Sequence, residues 1–124
     1  MEIHIILLVL FFHWVADFVC QDEKWSINKA SWFEFLLRHT LVYSFIMWMG
    51  LLLIFPTFAA SILFFVITLV SHTLVDYFTS IVVRQRFADK HFGSAIPNFG
   101  GFSIIGYDQL LHYVMLFYSL HYLL

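Results

Sequence analysis

Apolar residues run along this chain in four blocks, at about 3–20, 35–55, 58–83 and 102–124. A helix crosses a hydrocarbon core with roughly 20 residues at about 1.5 Å of rise each, so every block has close to that length. Only Pro56-Thr57 separates the second block from the third, which predicts an antiparallel helical hairpin. Two polar stretches remain. One covers 21–32 and carries Trp25 and Trp32, a residue type that settles at the headgroup level. The other covers 84–101, where Gly93, Pro97 and Asn98 mark an irregular segment. Ser103 is placed to cap the fourth helix. No repeat of fixed period and no low-complexity tract interrupts the pattern. The expectation is an all-α chain, a single domain over 1–124 built as an integral membrane four-helix bundle.

Composition agrees. Hydrophobic residues make up 62% of the 124 and charged ones 11%, where an ordinary domain has about 45–50% and about 25%. A soluble domain this short exposes much of its surface and needs more charge to cover it. Met1-Glu2-Ile3-His4 lacks the positive start of a secretory signal, and the apolar block after it is longer than a signal core, so the first block reads as a retained span. The single cysteine, Cys20, excludes an intrachain disulfide and leaves the redox compartment open. With no basic patch interleaved with aromatics, nucleic acid is not an expected partner. The lipid bilayer is.

Charge sets the orientation. Lys24, Lys29, Arg38, Arg84, Arg86 and Lys90 all lie in the two polar stretches or within a turn of them. The opposite face, made by Met1, the Pro56 turn and the C-terminus, has no Lys or Arg, although Asp22, Glu23, Glu34 and Asp89 share the basic face. The positive-inside rule then puts both polar stretches in the cytoplasm and both termini on the non-cytoplasmic side. This is the pattern of a multi-pass membrane protein.

Inside the blocks stand ionisable residues that lipid should forbid. His13 and Asp17 are four apart on the first helix, and His72 and Asp76 repeat the spacing on the third. The fourth carries Asp108 and His112 in reverse order, and the second carries His39 with Tyr43 one turn on. Residues four apart share a helix face, so each pair can point to one place between helices. Counting rise from the ends puts all seven His and Asp residues roughly 6–18 Å below the cytoplasmic boundary. A charge near the bilayer centre costs about 2.5–3.5 kcal/mol even on the mild insertion scale, so three aspartates need compensation. Two divalent cations would supply it. A mixed imidazole and carboxylate set suits zinc first, with iron or manganese also accommodated, and no thiolate cluster competes. The metal ligands expected are therefore His13, Asp17, His39, His72, Asp76, Asp108 and His112, with Asp17, Asp76 and Asp108 the candidate catalytic groups. Tyr43 and Gln109 are candidate supports for these ligands. Gln21 continues the face of His13 and Asp17, and Arg84 and Arg86 could meet a phosphate. His4 and His121 lie near the opposite face and His91 in a loop, outside the set.

The spaced elements His13-x-x-x-Asp17-Phe18-x-x-Gln21, Leu37-x-His39-x-x-x-Tyr43, His72-x-x-x-Asp76 and Asp108-Gln109-x-x-His112 follow in order along nearly the whole chain. In this it resembles the small bacterial and phage membrane proteins catalogued as domain of unknown function 3307. The resemblance implies that His13, Asp17, Gln21, His39, His72, Asp76, Asp108, Gln109 and His112 form one functional set, and it implies no activity. A looser similarity, in ligand arrangement alone, is to all-helical zinc-dependent phospholipases and to membrane proteins labelled metal-dependent hydrolases.

Three functions fit these residues. The first is a metal-dependent hydrolase at the cytoplasmic membrane surface, acting on a phosphoester or another lipid headgroup bond. The second is an ion or proton transport subunit, which four helices could build only as a homo-oligomer; its outer half offers a poor polar path. The third is a non-catalytic membrane interaction protein whose His–Asp pairs serve as polar glue between helices.

Overall fold

Helices occupy all four apolar blocks and one of the polar stretches. The computed structural model describes residues 1–93 and 99–124. Helix α1, Ile3–Trp14, continues as a π-helical turn, Val15–Val19. Helix α2 is the short Glu23–Asn28, and α3, Phe33–Leu51, ends in a 3-10 turn, Leu52–Ile54. The long α4, Phe58–Ala88, is followed by α5, Gly101–Leu123. The described residues contain no strand. Pro97 and Asn98, read from the sequence as loop-forming, lie outside the described residues.

Local chemistry explains the boundaries. The Thr57 hydroxyl accepts from the Ala60 N–H at 3.1 Å and starts α4 directly after the Pro56 turn. Nothing in Arg84-Gln85-Arg86-Phe87-Ala88 breaks a helix, so α4 runs past the apolar block. It stops where Lys90 takes a left-handed φ of 56° and the His91 N–H donates to the Arg86 carbonyl at 2.8 Å. At about 1.5 Å per residue its 31 residues measure about 46 Å, longer than a hydrocarbon core and long enough to carry Arg84 beyond it. Asp22 caps α2 by accepting from the Lys24 N–H at 2.9 Å, a start signal inside the polar stretch that apolar periodicity does not reveal.

Helix α5 begins at Gly101, so Ser103 stands in its first turn and does not cap it. The earlier start comes from the glycines. The Gly101 N–H donates to the His91 carbonyl at 2.8 Å and the Phe102 N–H to the Phe92 carbonyl at 2.7 Å. A Cβ on Gly100 would stand 2.7 Å from the backbone of Phe92 and Gly93, so only glycine allows that approach.

Helix α4 packs between α3 and α5, α1 lies on α3, and α2 folds back against α3. The distribution of polarity is the reverse of a water-soluble core. Among the described residues the buried set holds thirteen polar or charged side chains and nine hydrophobic ones. Leu, Phe and Val face outward instead, including Phe11, Phe45, Val70, Leu74, Phe78 and Leu110. An exposed apolar surface around a buried polar interior is an informative departure from the usual rule. Among the described residues two helices, Phe33–Ile54 and Phe58–Ala88, are long and apolar enough to cross a membrane, and the apolar Ile3–Val19 is shorter.

The interior divides into two halves. Near the Pro56 turn Val9, Met47, Leu51, Phe64, Leu116 and Leu120 form an apolar core. There Gly50 lets α1 come close, because a Cβ at this position would stand 2.5 Å from the Phe12 ring. The other half is filled by histidines and aspartates.

Candidate metal centre

Four helical segments deliver the cluster. His13 comes from α1, Asp17 from its π turn, His39 from α3, His72 and Asp76 from α4, and Asp108 and His112 from α5. All seven are buried, with Asp17 4%, Asp76 1% and Asp108 9% exposed, so their charges have to be balanced within the protein. The π turn holds Asp17 inward; it closes with the Cys20 N–H donating to the Val15 carbonyl at 2.8 Å, five residues back.

Six of the seven residues lie in ligand-like groups. The Nε2 atoms of His39 and His72 are 3.1 Å apart. Asp17 Oδ1 is 3.1 Å from the first and 3.5 Å from the second. On the far side of His72, His112 Nε2 sits 3.1 Å from Asp76 Oδ1 and 3.3 Å from Asp108 Oδ2. Three overlapping groups, Asp17–His39–His72, His72–Asp76–His112 and Asp17–Asp108–His112, keep their candidate ligand atoms within 4.8 Å of one another and could hold a metal ion. Ring stacking fixes the imidazoles: Tyr43 lies on His72 at 3.7 Å between centroids, and His72 lies on His112 at 4.0 Å.

His13 is held differently. Its Nδ1 is 2.6 Å from the Tyr43 hydroxyl and its Nε2 is 2.7 Å from Gln109 Oε1. Gln109 Nε2 donates to Asp17 Oδ2 at 2.9 Å and Asp108 Oδ2 at 3.1 Å, which turns Oε1 toward His13. An amide oxygen only accepts, so His13 Nε2 carries the proton and Nδ1 accepts from Tyr43. The chain Tyr43 to His13 to Gln109 to the two carboxylates thus runs in one direction. It places Tyr43 and Gln109 beside the cluster, and it spends both nitrogens of His13 on neutral partners. His72 Nδ1 is buried with no partner among the described residues.

Nothing in the apolar pattern singles out Lys29, yet it enters the cluster. It caps the C-terminal end of α2, and its Nζ lies 2.7 Å from Asp76 Oδ2 with only 18% of the side chain exposed. Burial works against the ammonium, but the attraction of Asp76 and the hydrogen bond to it outweigh that, and the pKa is raised above the ordinary 10.5. The only signal for it is length: a stretch as short as 21–32 keeps all its side chains near the ends of the helices it joins. Thr79 is a second unforeseen partner, its hydroxyl donating to Asp108 Oδ1.

A cavity of about 460 Å³ opens beside the cluster toward α2, and Asp17, Asp108 and Gln109 form part of its wall. Gln21 and Arg84 also line it, and Arg84 donates to the Ser31 hydroxyl across the gap from α4 to the stretch after α2. Arg86 is half-buried at the end of α4, where its carbonyl receives the His91 N–H; it is not among the residues lining the cavity.

Fold and cluster together define an all-helical protein with a buried imidazole–carboxylate centre of metal-binding geometry. A family model described as protein of unknown function (DUF3307) matches residues 5–123, and the chain belongs to that family. No curated protein and no solved structure matches it.

Proposed function

We propose that this is a multi-pass membrane protein in which α1 with its π turn, α3, α4 and α5 span the bilayer as a four-helix bundle. Both termini lie on the non-cytoplasmic side, and the cluster holds divalent metal for hydrolysis of a phosphoester or lipid headgroup bond at the cytoplasmic face. The reversed polarity supports the bilayer, since exposed Leu, Phe and Val cost nothing in lipid while the three buried carboxylates find partners inside. The basic residues gathered at one end support the orientation.

One observation carries the metal reading. His39 Nε2, His72 Nε2 and Asp17 Oδ1 form a triangle with sides of 3.1, 3.1 and 3.5 Å. Zinc bonds of about 2.0–2.1 Å arranged tetrahedrally give ligand–ligand edges of about 3.3–3.4 Å. The triangle is thus close to one face of such a site, with the fourth position left for water, as in catalytic zinc centres. Asp76, Asp108 and His112 could take a second ion that shares a ligand with the first, since the groups His72–Asp76–His112 and Asp17–Asp108–His112 each have one residue in common with the triangle. Three carboxylates and Lys29 leave a charge of −2. Two divalent ions bring it to +2, which favours an anionic phosphoester.

Bound ions would supply an acidified water and a clamp on the ester oxygens. Water adds to phosphorus, the P–O bond to the alcohol breaks, and the proton given up by water ends on the departing alcohol oxygen. Asp108, which reaches both the cluster and the cavity, stands where it can carry that proton. Elemental analysis of the purified protein tests the reading, with zinc expected at one to two per chain by the ligand count. A folded preparation that contains no metal and takes none up would sink it.

A second reading rests on Lys29. With its ammonium on Asp76, Thr79 and Gln109 on Asp108, and Gln109 on Asp17, the carboxylates are already hydrogen-bonded, as a packing network without metal would require. Metal uptake separates the two.

A further inference from the structure

The cavity beside the cluster contains hydrogen-bonding groups that the protein leaves unanswered. Ser80 follows Asp76 by one turn of α4, and Gln21 follows Asp17 by four residues. Ser80 Oγ and Gln21 Nε2 are both buried without a partner among the described residues, and both residues line this cavity. A buried polar atom left without a bond is destabilising, so two in one cavity call for a ligand that meets them. The amide nitrogen can only donate, and the ligand must therefore present acceptor oxygens. Lys29 and Arg84 add positive charge to the same wall. The opposite lip is apolar. Phe18 and Ile27 line the cavity while 52% and 67% exposed, so it opens sideways onto the surface that faces lipid under the proposed orientation, and Val83 lines it as well.

We propose that this cavity binds an anionic phospholipid by its headgroup. The phosphate is received by Gln21, Ser80, Lys29 and Arg84, and the acyl chains leave past Phe18 and Ile27 into the bilayer. A volume of about 460 Å³ accommodates a glycerophosphate head and the first methylenes, and the chains need no room inside. The inference deepens the hydrolase reading by naming its substrate class, and it rests on that reading in one respect. The Asp17 and Asp108 carboxylates on the cavity wall oppose an anion, and cations held in the cluster lower that opposition. A free phosphate would share the headgroup chemistry but make no use of the lip.

The purified protein in detergent micelles, loaded with zinc, is titrated with phosphatidic acid, diacylglycerol and inorganic phosphate. Retained ligand is read by native mass spectrometry, and metal content is measured on the same samples. One phosphatidic acid per chain is expected, with at least tenfold weaker retention of the other two. Val83→Trp, which fills the cavity, and Gln21→Leu, which removes the donor, should each weaken phosphatidic acid at least tenfold with metal content unchanged. Helicity by circular dichroism confirms that each variant folds, and either one suffices. Equal retention of diacylglycerol or of phosphate overturns the proposal, as does full phosphatidic acid binding in a folded variant. Metal present with no lipid retained refutes the lipid site alone. Lipid retained specifically by protein that takes up no metal refutes the metal reading and leaves the lipid site standing.

Discussion

Lys29→Met asks whether the ammonium and a metal ion compete for one place. Methionine keeps most of the apolar stem and removes the charge. In the metal-free protein the change leaves Asp76, 1% exposed, without its nearest cation. Removing one partner of a buried ion pair costs about 3–5 kcal/mol. Two features lower that figure. The lysine side chain keeps 18% of its exposure, and His39 and His112 still face the carboxylate at 3.3 and 3.1 Å. A loss of about 2–3 kcal/mol is the resulting expectation. In the zinc-loaded protein the ion takes over the charge balance, and the variant should lose little. The thermodynamic cycle then closes on affinity. Zinc should bind Lys29→Met about 30- to 150-fold more tightly than the parent, at 1.4 kcal/mol per factor of ten. The assay is denaturant unfolding of stripped and loaded protein in micelles, with zinc affinity from chelator competition. Equal destabilisation in both states together with an unchanged zinc affinity would refute the shared place.

Three further outcomes follow from the geometry. Asp76→Asn keeps the shape but removes the carboxylate that faces His39, His72, His112 and Lys29; zinc affinity, read by chelator competition, should fall more than about 100-fold, beyond the loss typical of outer-sphere partners. Tyr43→Phe preserves the ring on His72 but leaves His13 Nδ1 buried without a donor; unfolding in denaturant should show a loss of about 1–3 kcal/mol with zinc stoichiometry unchanged. Gly50→Ala drives a Cβ to 2.5 Å from the Phe12 ring, where α1 meets α3 in the apolar half; the overpacking should lower stability by about 1–3 kcal/mol, measured by unfolding, and leave zinc affinity as it was.

The sequence is most legible where one period governs it. Runs of apolar residues mark α1, α3, α4 and α5 to within a few residues, and the fourfold spacing of His13–Asp17, His72–Asp76 and Asp108–His112 predicts which side chains share an interior face. Tyr43, one turn beyond His39, and Gln109, next to Asp108, stand beside the cluster. The remainder depends on contacts between distant segments. Helix α2 is too short to carry an amphipathic period, and its signal is the single Asp22 cap. The π turn at Asp17 has no composition of its own, since Val15-Ala16-Asp17-Phe18-Val19 would suit an α-helix equally well. Ser103 looks like a cap because hydroxyls often are; the backbone pairing of Gly101 and Phe102 with His91 and Phe92 starts the helix earlier. His13 shares a face with Asp17 as expected, but which atoms occupy its nitrogens depends on Tyr43 and Gln109, 30 and 96 residues away.

Lys29 changes the inference from charge most. Three buried aspartates with only neutral histidines around them seem to demand metal for the chain to fold at all. With an ammonium 2.7 Å from Asp76 Oδ2 and Gln109 bridging Asp17 and Asp108, the metal-free cluster already has a cation and a donor for each carboxylate. Folding and metal binding therefore become separable, and a stable metal-free protein would not by itself argue against a metal site. What distinguishes a metal centre from a packing network is the Asp17–His39–His72 triangle. Two imidazole nitrogens 3.1 Å apart share at most one proton between them, a poor arrangement for packing alone and a good one for two ligands of a single ion. Lys29 meets the cluster at Asp76 Oδ2 and leaves Asp17 Oδ1 in that triangle. An ion can thus enter there before the ammonium moves, and the displaced lysine then lies in the cavity wall, where an anionic headgroup would need it.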